Sequence, residues 1–247
     1  MAKFLFKNIW LFLPCHNEEG NLADLVATIL QLKIPNLHIA IIDDNSTDRT
    51  GEIADKLTVK FPKEISVLHR QPPRGRALAG KDAFRYCLKQ KADAIIEMDA
   101  DFSHDPQYIP LMLRQLSKPE IDVVLGSRFL PGGSEVNRSP FRTLISRLSG
   151  IIFRFILGIH LTDMGSGFKA YKRKALESIN PASLFSRKGL AISMEAVFRV
   201  LKNGYKVKEI PIVFKDRRAG VSKLSWTDFF EPVFICFKLV SSLGRYN

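Results

Sequence analysis

Apolar residues along this chain come in short continuous runs that stop abruptly at polar residues. Ile9-Trp10-Leu11-Phe12-Leu13, Ile39-Ala40-Ile41-Ile42, Ile65-Ser66-Val67-Leu68, Ala94-Ile95-Ile96-Glu97-Met98 and residues 121–125 are of this kind. A continuous run, rather than alternation, marks a strand buried on both faces, as in a parallel sheet. Between the runs the period changes. Leu22, Leu25, Val26, Ile29 and Leu30 recur at helical spacing, and Ser46-Thr47-Asp48 supplies helix-start residues for the segment through Leu57. A third helical segment follows Gly75 and runs to about Lys89. Strands alternating with helices predict an α/β fold: a mostly parallel sheet flanked by helices on both faces.

From Pro131 the texture shifts. Gly132-Gly133-Ser134 reads as a loop, and Phe141, Leu144, Ile145, Leu148, Ile151, Ile152, Phe155 and Ile156 then form an apolar helical stripe accompanied by Arg138, Arg142, Arg147 and Arg154. Such a stripe suits either a helix lying on a membrane surface or a core helix with solvated arginines. Residues 207–214 alternate as a late strand, with Pro211 indicating a sheet edge. No run reaches the about 18 uninterrupted apolar residues of a membrane span, since Arg147 and Arg154 interrupt Leu144–Leu161. The N-terminal apolar run is too short for a signal peptide and is followed at once by Pro14 and Glu18-Glu19.

Charge narrows the picture. Lys and Arg number 37 against 25 Asp and Glu, a formal net charge of +12, which favours an anionic partner. A nucleic-acid binder is disfavoured: zinc-finger spacing, an RNP-like aromatic motif and a basic helix of the usual form are all missing. Three cysteines without CxxC spacing fit a reducing cytosol. Neither a Walker loop nor GxGxxG occurs, which argues against P-loop NTPases and nicotinamide dehydrogenases.

The chemistry-bearing residues cluster where strands end. Asp43-Asp44 closes one apolar run and Asp99-Ala100-Asp101 closes another. Open α/β sheets bind ligands beyond the carboxyl ends of their strands. Taken alone, each acidic pair is equally a solvated loop; together, four acids at one rim call for a cation, and a hard divalent ion that bridges carboxylate to diphosphate is the economical one. Arg128, after the run at 121–125, is placed either to clamp phosphate oxygens or to form a structural ion pair. His16 reads more readily as a stacking or packing residue than as a base. Arg74-Gly75-Arg76 opens a helix and could approach phosphate. Asp216 to Lys223 is a basic glycine-containing loop, either solvated or a lid over a diphosphate.

In order along residues 9 to 223, a set of motifs resembles the family 2 inverting glycosyltransferases, more narrowly the dolichol-phosphate mannose synthase and polyprenyl-phosphate glycosyltransferase type without a transmembrane domain. The set comprises Pro14-Cys15-His16-Asn17-Glu18, Ile42 to Thr50, Arg70 with Gly75 and Gly80, Met98 to Pro106, Gly126-Ser127-Arg128, Asp163 to Lys169, Glu209 to Phe214 and Arg217 to Lys223. The resemblance implies a GT-A (Rossmann-like) catalytic domain over 1–223, with an acceptor and membrane-interface helix near 139–158, and an amphipathic C-terminal extension over 224–247. It implies a nucleoside-diphosphate sugar donor, Mg2+ or Mn2+, and a polyprenyl phosphate acceptor. By position, Pro14, His16, Glu18, Ile42 and Asp44 would line the nucleoside pocket. Asp99, Ala100 and Asp101 would meet the sugar nucleotide, with Asp99, Asp101 and Ser103 at the metal and Arg128 facing the reacting phosphates. Arg142 and Ser146 would meet the acceptor phosphate, and Arg217 and Lys223 the donor. His16 departs from the Tyr or Phe common there, and Gly165 from the Thr common before Ser-Gly-Phe.

The expected activity is transfer of a hexose, mannose from GDP-mannose, to a dolichyl-type phosphate with inversion. UDP-glucose or another donor, or a glycan or protein acceptor, is the alternative. The expected location is the cytoplasm, peripheral at the cytoplasmic face of a membrane, with room for an accessory membrane subunit and no nucleic-acid partner.

Overall fold

The computed structural model describes residues 5–187, 189, 191–216 and 226–241. The first half alternates as its hydrophobic pattern predicts: β1 (Ile9–Cys15), α1 (Leu22–Gln31), β2 (Leu37–Asp43), α2 (Thr50–Lys60), β3 (Ile65–His69), α3 (Arg76–Lys89), β4 (Ala94–Glu97), α4 (Ile109–Leu116) and β5 (Val123–Ser127). There follow β6 (Ser134–Val136), α5 (Pro140–Leu157), β7 (Lys169–Lys172), α6 (Arg173–Ser178), α7 (Ala191–Lys202), β8 (Val207–Pro211), β9 (Val213–Lys215) and α8 (Trp226–Ser241).

Among the described residues the main sheet has seven strands in the order β3-β2-β1-β4-β7-β5-β8, and β6 pairs with β9 in a small second sheet. All main-sheet pairings are parallel except those of β7, which runs antiparallel between β4 and β5. The chain winds outward from β1 to β2 and β3, then returns to place β4 on the other side of β1. That reversal opens a crevice beyond the carboxyl ends of β1 and β4, the topological switch point where such sheets hold ligands.

The pleat of β1 divides the core. Leu11 and Leu13 pack with Leu22, Leu25 and Ile29 of α1, while Trp10 and Phe12 pack with Ala83 and Phe84 of α3. Burial on both faces is why these strands read as continuous apolar runs. A third cluster joins α7 to the C-terminal helix through Met194, Phe198, Ile235, Cys236 and Leu239. Outward from it, α5 exposes Phe141, Leu144, Leu148, Ile151, Ile152 and Phe155, and α8 exposes Phe234, Phe237 and Val240. No helix among the described residues is long and apolar enough to cross a membrane.

Several boundaries differ from the sequence expectation. The strand expected at 121–125 lies at 123–127, because Ile121 closes a turn onto the Lys118 carbonyl at 3.2 Å. The strand expected at 207–214 divides at Ile212: β8 extends the main sheet and β9 leaves it to pair with β6. Pro211 is tolerated because β8 is an edge. The helix expected from Ser46 starts at Thr50, whose N–H is capped by Asp48 Oδ1 at 2.9 Å. Strand β7, Lys-Ala-Tyr-Lys, has no apolar run, and only its position between two buried strands makes it one.

Helix α7 carries a fully buried carboxylate. Glu195 accepts hydrogen bonds from Phe185 N (2.7 Å), Ser186 N (2.8 Å), Ser186 Oγ (2.6 Å) and Arg199 Nη2 (2.7 Å). It ties the 184–187 segment to the helix. Glu195→Ala strands the buried Arg199 and those donors, so the expected loss is about 3 kcal/mol of unfolding free energy, read as a lowered urea midpoint.

Candidate active site

The switch-point crevice is lined by the residues just past β1, β2 and β4. Strand β4 ends at Glu97, so Asp99 and Asp101 stand beyond it on the loop rather than on the strand itself. Asp101 Oδ1 accepts a hydrogen bond from Ser103 N at 3.1 Å, and Phe102 between them is left-handed (φ 62°). A phenylalanine holds that conformation only where the surroundings enforce it. The turn pins Ser103, itself buried, under the Asp101 carboxylate.

Asp99 is held from three sides. Arg76, first residue of α3, donates to its Oδ1 from Nη2 at 2.9 Å and from Nε at 3.3 Å. The same Nη2 donates to Glu97 Oε1 at 2.9 Å. His104 Nδ1 lies 3.8 Å from Asp99 Oδ2. On the remaining side runs the backbone of Gly167, where an added Cβ would come within 2.6 Å of Oδ2. Burial penalises the Asp99 charge, yet Arg76, His104 and Lys169 outweigh it and hold the carboxyl below its usual range. Lys169 of β7 is fully buried, and desolvation pushes its ammonium down to about 8 despite Glu97 and Asp163 nearby.

The second acidic pair is similarly matched. Asp44 is paired with Arg70 and accepts Gly75 N at 2.8 Å, and Arg70 Nε reaches Asp82 at 2.7 Å. Asp43 accepts Ser46 N at 3.1 Å and lies 2.9 Å from His69 Nδ1, whose Nε2 meets Asp55 at 3.0 Å. His16 Nε2 faces Arg74 Nη1 at 3.0 Å. Glu18 accepts Asn21 Nδ2 at 2.8 Å, and its N–H bonds Thr50 Oγ1 at 2.7 Å. Pro14 is opposite Ile42 in the β1–β2 register, and Ile42 is fully buried in the core. Pro14, His16, Glu18, Asp44, Asp99, Ala100 and Asp101 thus all lie at or just past the carboxyl ends of β1, β2 and β4, with Ile42 buried within β2.

Arg128 lies at the end of β5 in an ion-pair cluster. Its Nε and Nη2 grip the two Asp163 oxygens at 2.7 and 2.8 Å, and its Nη1 reaches Glu135 Oε1 at 3.1 Å. Glu135 also pairs with Arg138, whose Nη2 donates to Ser146 Oγ at 3.0 Å. Of the two readings of Arg128, the structural ion pair is present. Arg142, on α5, is half exposed, with Asp216 Oδ2 3.7 Å from its Nη1. Arg217 and Lys223 lie outside the described residues.

Sequence reasoning read Glu97 only as part of a strand run, quoted His104, Asp163 and Lys169 within motifs without giving them a role, and took Arg76 only as part of a basic turn. Glu97 carried a signal: a charged residue inside an otherwise apolar strand. The others become neighbours only through the antiparallel insertion of β7.

Among the described residues no three His, Cys, Asp or Glu come together as a ready metal cage, and Asp99 and Asp101 are the carboxylates at the end of β4 that would offer oxygens to a cation.

Residues 10–179 match the model of the family described as glycosyl transferase family 2. The chain belongs to glycosyltransferase family 2. It is 34% identical over 224 residues to a polyprenol monophosphomannose synthase of Mycolicibacterium smegmatis, covering 91% of this chain and 83% of that one. It is 35% identical over 213 residues to an undecaprenyl-phosphate mannosyltransferase of Micrococcus luteus, covering 86% of each. Among solved structures, the glucosyl-3-phosphoglycerate synthase of Mycobacterium tuberculosis with phosphoglyceric acid superposes at a TM-score of 0.68 and 17% identity, covering 94% of this chain and 79% of that one. A mannosyltransferase from Pyrobaculum calidifontis in complex with GDP-Man and Mn2+ gives 0.65 at 16% identity, covering 96% and 64%. At these identities the likeness shows the fold, which is GT-A-like as the sequence resemblance implied.

For this glycosyltransferase, Gly167→Ala drives a methyl group into the Asp99 carboxylate. The expected outcome is at least a tenfold loss of transferase turnover with an unchanged far-ultraviolet spectrum, since the new contact lies at the crevice rather than in the core.

Proposed function

We propose that this glycosyltransferase moves mannose from GDP-mannose to the phosphate of a polyprenyl phosphate, inverting the anomeric carbon. The observation that carries the reading is the Asp99-Ala100-Asp101 element at the switch point of a chain whose relatives are named for mannosyl transfer to such lipids. The acceptor phosphate attacks the anomeric carbon as the bond to the diphosphate breaks, and the nucleoside diphosphate leaves with the electron pair. A phosphate monoester has a second pKa of about 6, so it is an anionic nucleophile near neutrality and needs no general base. The protein's work is alignment and charge.

In this reading Pro14, His16, Glu18 and Asp44 line the nucleoside end over Ile42, and Ala100 lies along the donor. Asp99 and Asp101, with Ser103 beside them, would hold Mg2+ or Mn2+, which when bound offsets the charge of the departing diphosphate. Arg128, fixed by Asp163 and Glu135, presents a cation whose direction is already set. Arg142 and Ser146 on α5 face the acceptor phosphate, and Arg217 and Lys223 serve the donor side. The enzyme works peripherally, at the cytoplasmic face of a membrane, because its acceptor keeps its chain there. The apolar faces of α5 and α8, with Arg142 and Arg147 exposed on α5, would rest in the head-group layer. Residues 1–223 act as the catalytic unit and the C-terminal segment as part of its membrane face.

The direct test is a labelled-sugar panel with purified protein and polyprenyl phosphate. GDP-mannose is expected to give lipid-linked product and UDP-glucose little. Asp101→Asn is expected to abolish transfer and weaken donor binding, because a neutral amide serves a hard cation poorly; full wild-type turnover in EDTA would overturn the metal assignment.

Membrane attachment has its own readout. Each surface cation near anionic lipid contributes about 1 kcal/mol, weakened by salt. Flotation with anionic liposomes is expected to fall with salt, and to fall markedly in Arg142→Glu/Arg147→Glu.

A further inference from the structure

Arg76 opens α3, reaches across to the end of β4 and, as Arg70 and Arg128 do elsewhere, spends its hydrogen bonds on two acids, here Glu97 and Asp99. Glu97 is almost completely buried and is fixed in turn by Ser193 Oγ at 2.8 Å and Tyr171 OH at 3.5 Å. Glu97 therefore anchors the guanidinium, and the guanidinium holds Asp99. Its Nη1 is buried with no hydrogen-bond partner among the described residues, and would lie 3.4 Å from a Cβ at Gly80. A donor left unsatisfied in the interior is unfavourable, so Arg76 is not the arrangement that best serves the local packing. What it serves is Asp99: Oδ1 takes both of its contacts, while Oδ2 lies against Gly167 and faces His104.

We propose that Arg76, anchored by Glu97, is the resident counter-cation of the acidic rim: it occupies Asp99 Oδ1 and lowers the affinity of the crevice for a bare divalent ion, so that the ion is held strongly only together with the donor diphosphate. This rests on the reading of Asp99 and Asp101 as the metal-holding pair. The physical reason is simple. A fixed positive charge touching a carboxylate repels a second cation and competes for the same oxygen. The diphosphate brings negative charge of its own, and with it the balance reverses. Arg76 is thus a positioning residue, acting through Asp99. It also explains how closely placed acids coexist in the crevice before any ligand arrives.

The experiment is a titration of Mn2+ followed by the electron paramagnetic resonance signal of the free ion, with and without GDP, on the whole chain. The wild type is expected to bind Mn2+ at least tenfold more tightly with GDP than without. Arg76→Gln is expected to tighten binding of the bare ion at least fivefold, and Arg76→Lys, which keeps the charge, to stay within twofold of wild type. Arg76→Gln removes the cation from the buried Glu97 at a cost to folding, so Arg76→Gln/Glu97→Gln carries the same test, expected in the same direction and at least twofold. Glu97→Gln alone is expected to leave bare-ion binding unchanged or weaker. Bare-ion affinity in both Arg76→Gln variants equal to or below wild type would overturn the proposal. Asp99→Asn separates it from the reading beneath it: loss of GDP-dependent Mn2+ binding supports the metal pair, whereas unaltered binding removes the metal from Asp99 whatever Arg76 does.

Discussion

Four carboxylates, those of Asp43, Asp44, Glu97 and Asp99, are gathered at the ends of β2 and β4, and Glu97 is buried almost completely. Ionised groups so placed destabilise the fold unless each has a cation and its remaining hydrogen bonds. The rest of the structure supplies them. His69 from β3 meets Asp43, Arg70 meets Asp44, and Arg76 from α3 meets both Glu97 and Asp99. All three partners lie within the β3–α3 region, which therefore holds the carboxylates of Asp43, Asp44, Glu97 and Asp99 in direct contacts.

The opposite wall is a relay of alternating charge. Glu209 of β8 accepts the backbone N–H groups of Thr162 and Asp163, and Asp163 grips Arg128 with both oxygens. Arg128 reaches Glu135, Glu135 holds Arg138, and Arg138 bonds Ser146 on α5. A continuous set of hydrogen bonds, through backbone N–H groups at Glu209 and through side chains from Asp163 onward, thus runs from the main sheet to the helix that exposes Phe141, Leu144, Leu148 and Phe155. The same helix that turns an apolar face outward is tied by its polar side to the ion-pair cluster around Arg128.

Much of this was legible in the sequence, for reasons that differ between elements. Continuous apolar runs report burial on both faces, so β1 to β4 could be read directly and the helices between them followed from period. Asp43-Asp44 and Asp99-Ala100-Asp101 were visible because acids that end buried strands are conspicuous. The amphipathic stripe of α5 was visible because solvent on one face leaves a period. In contrast, β7 was invisible: Lys169 and Tyr171 are fully buried, but a lysine in a four-residue strand carries no hydrophobic signature. The division of residues 207–215 between two sheets was equally hidden, since it depends on which strand each half meets.

What the sequence determined by itself is therefore the alternating fold, the acidic rim and the family to which the motifs point, because all three are written in local order: runs, periods and short spacings. What only the tertiary structure decided is partnership. Arg76 and Asp99 are 23 positions apart, and Arg128 and Asp163 are 35 apart. Neither pairing follows from spacing, because a salt bridge depends on where two strand ends and a helix start meet in space. The charges are in the chain; which of them neutralise one another is set by the parallel pairing of β1 with β4 and by the antiparallel strand inserted beside β4.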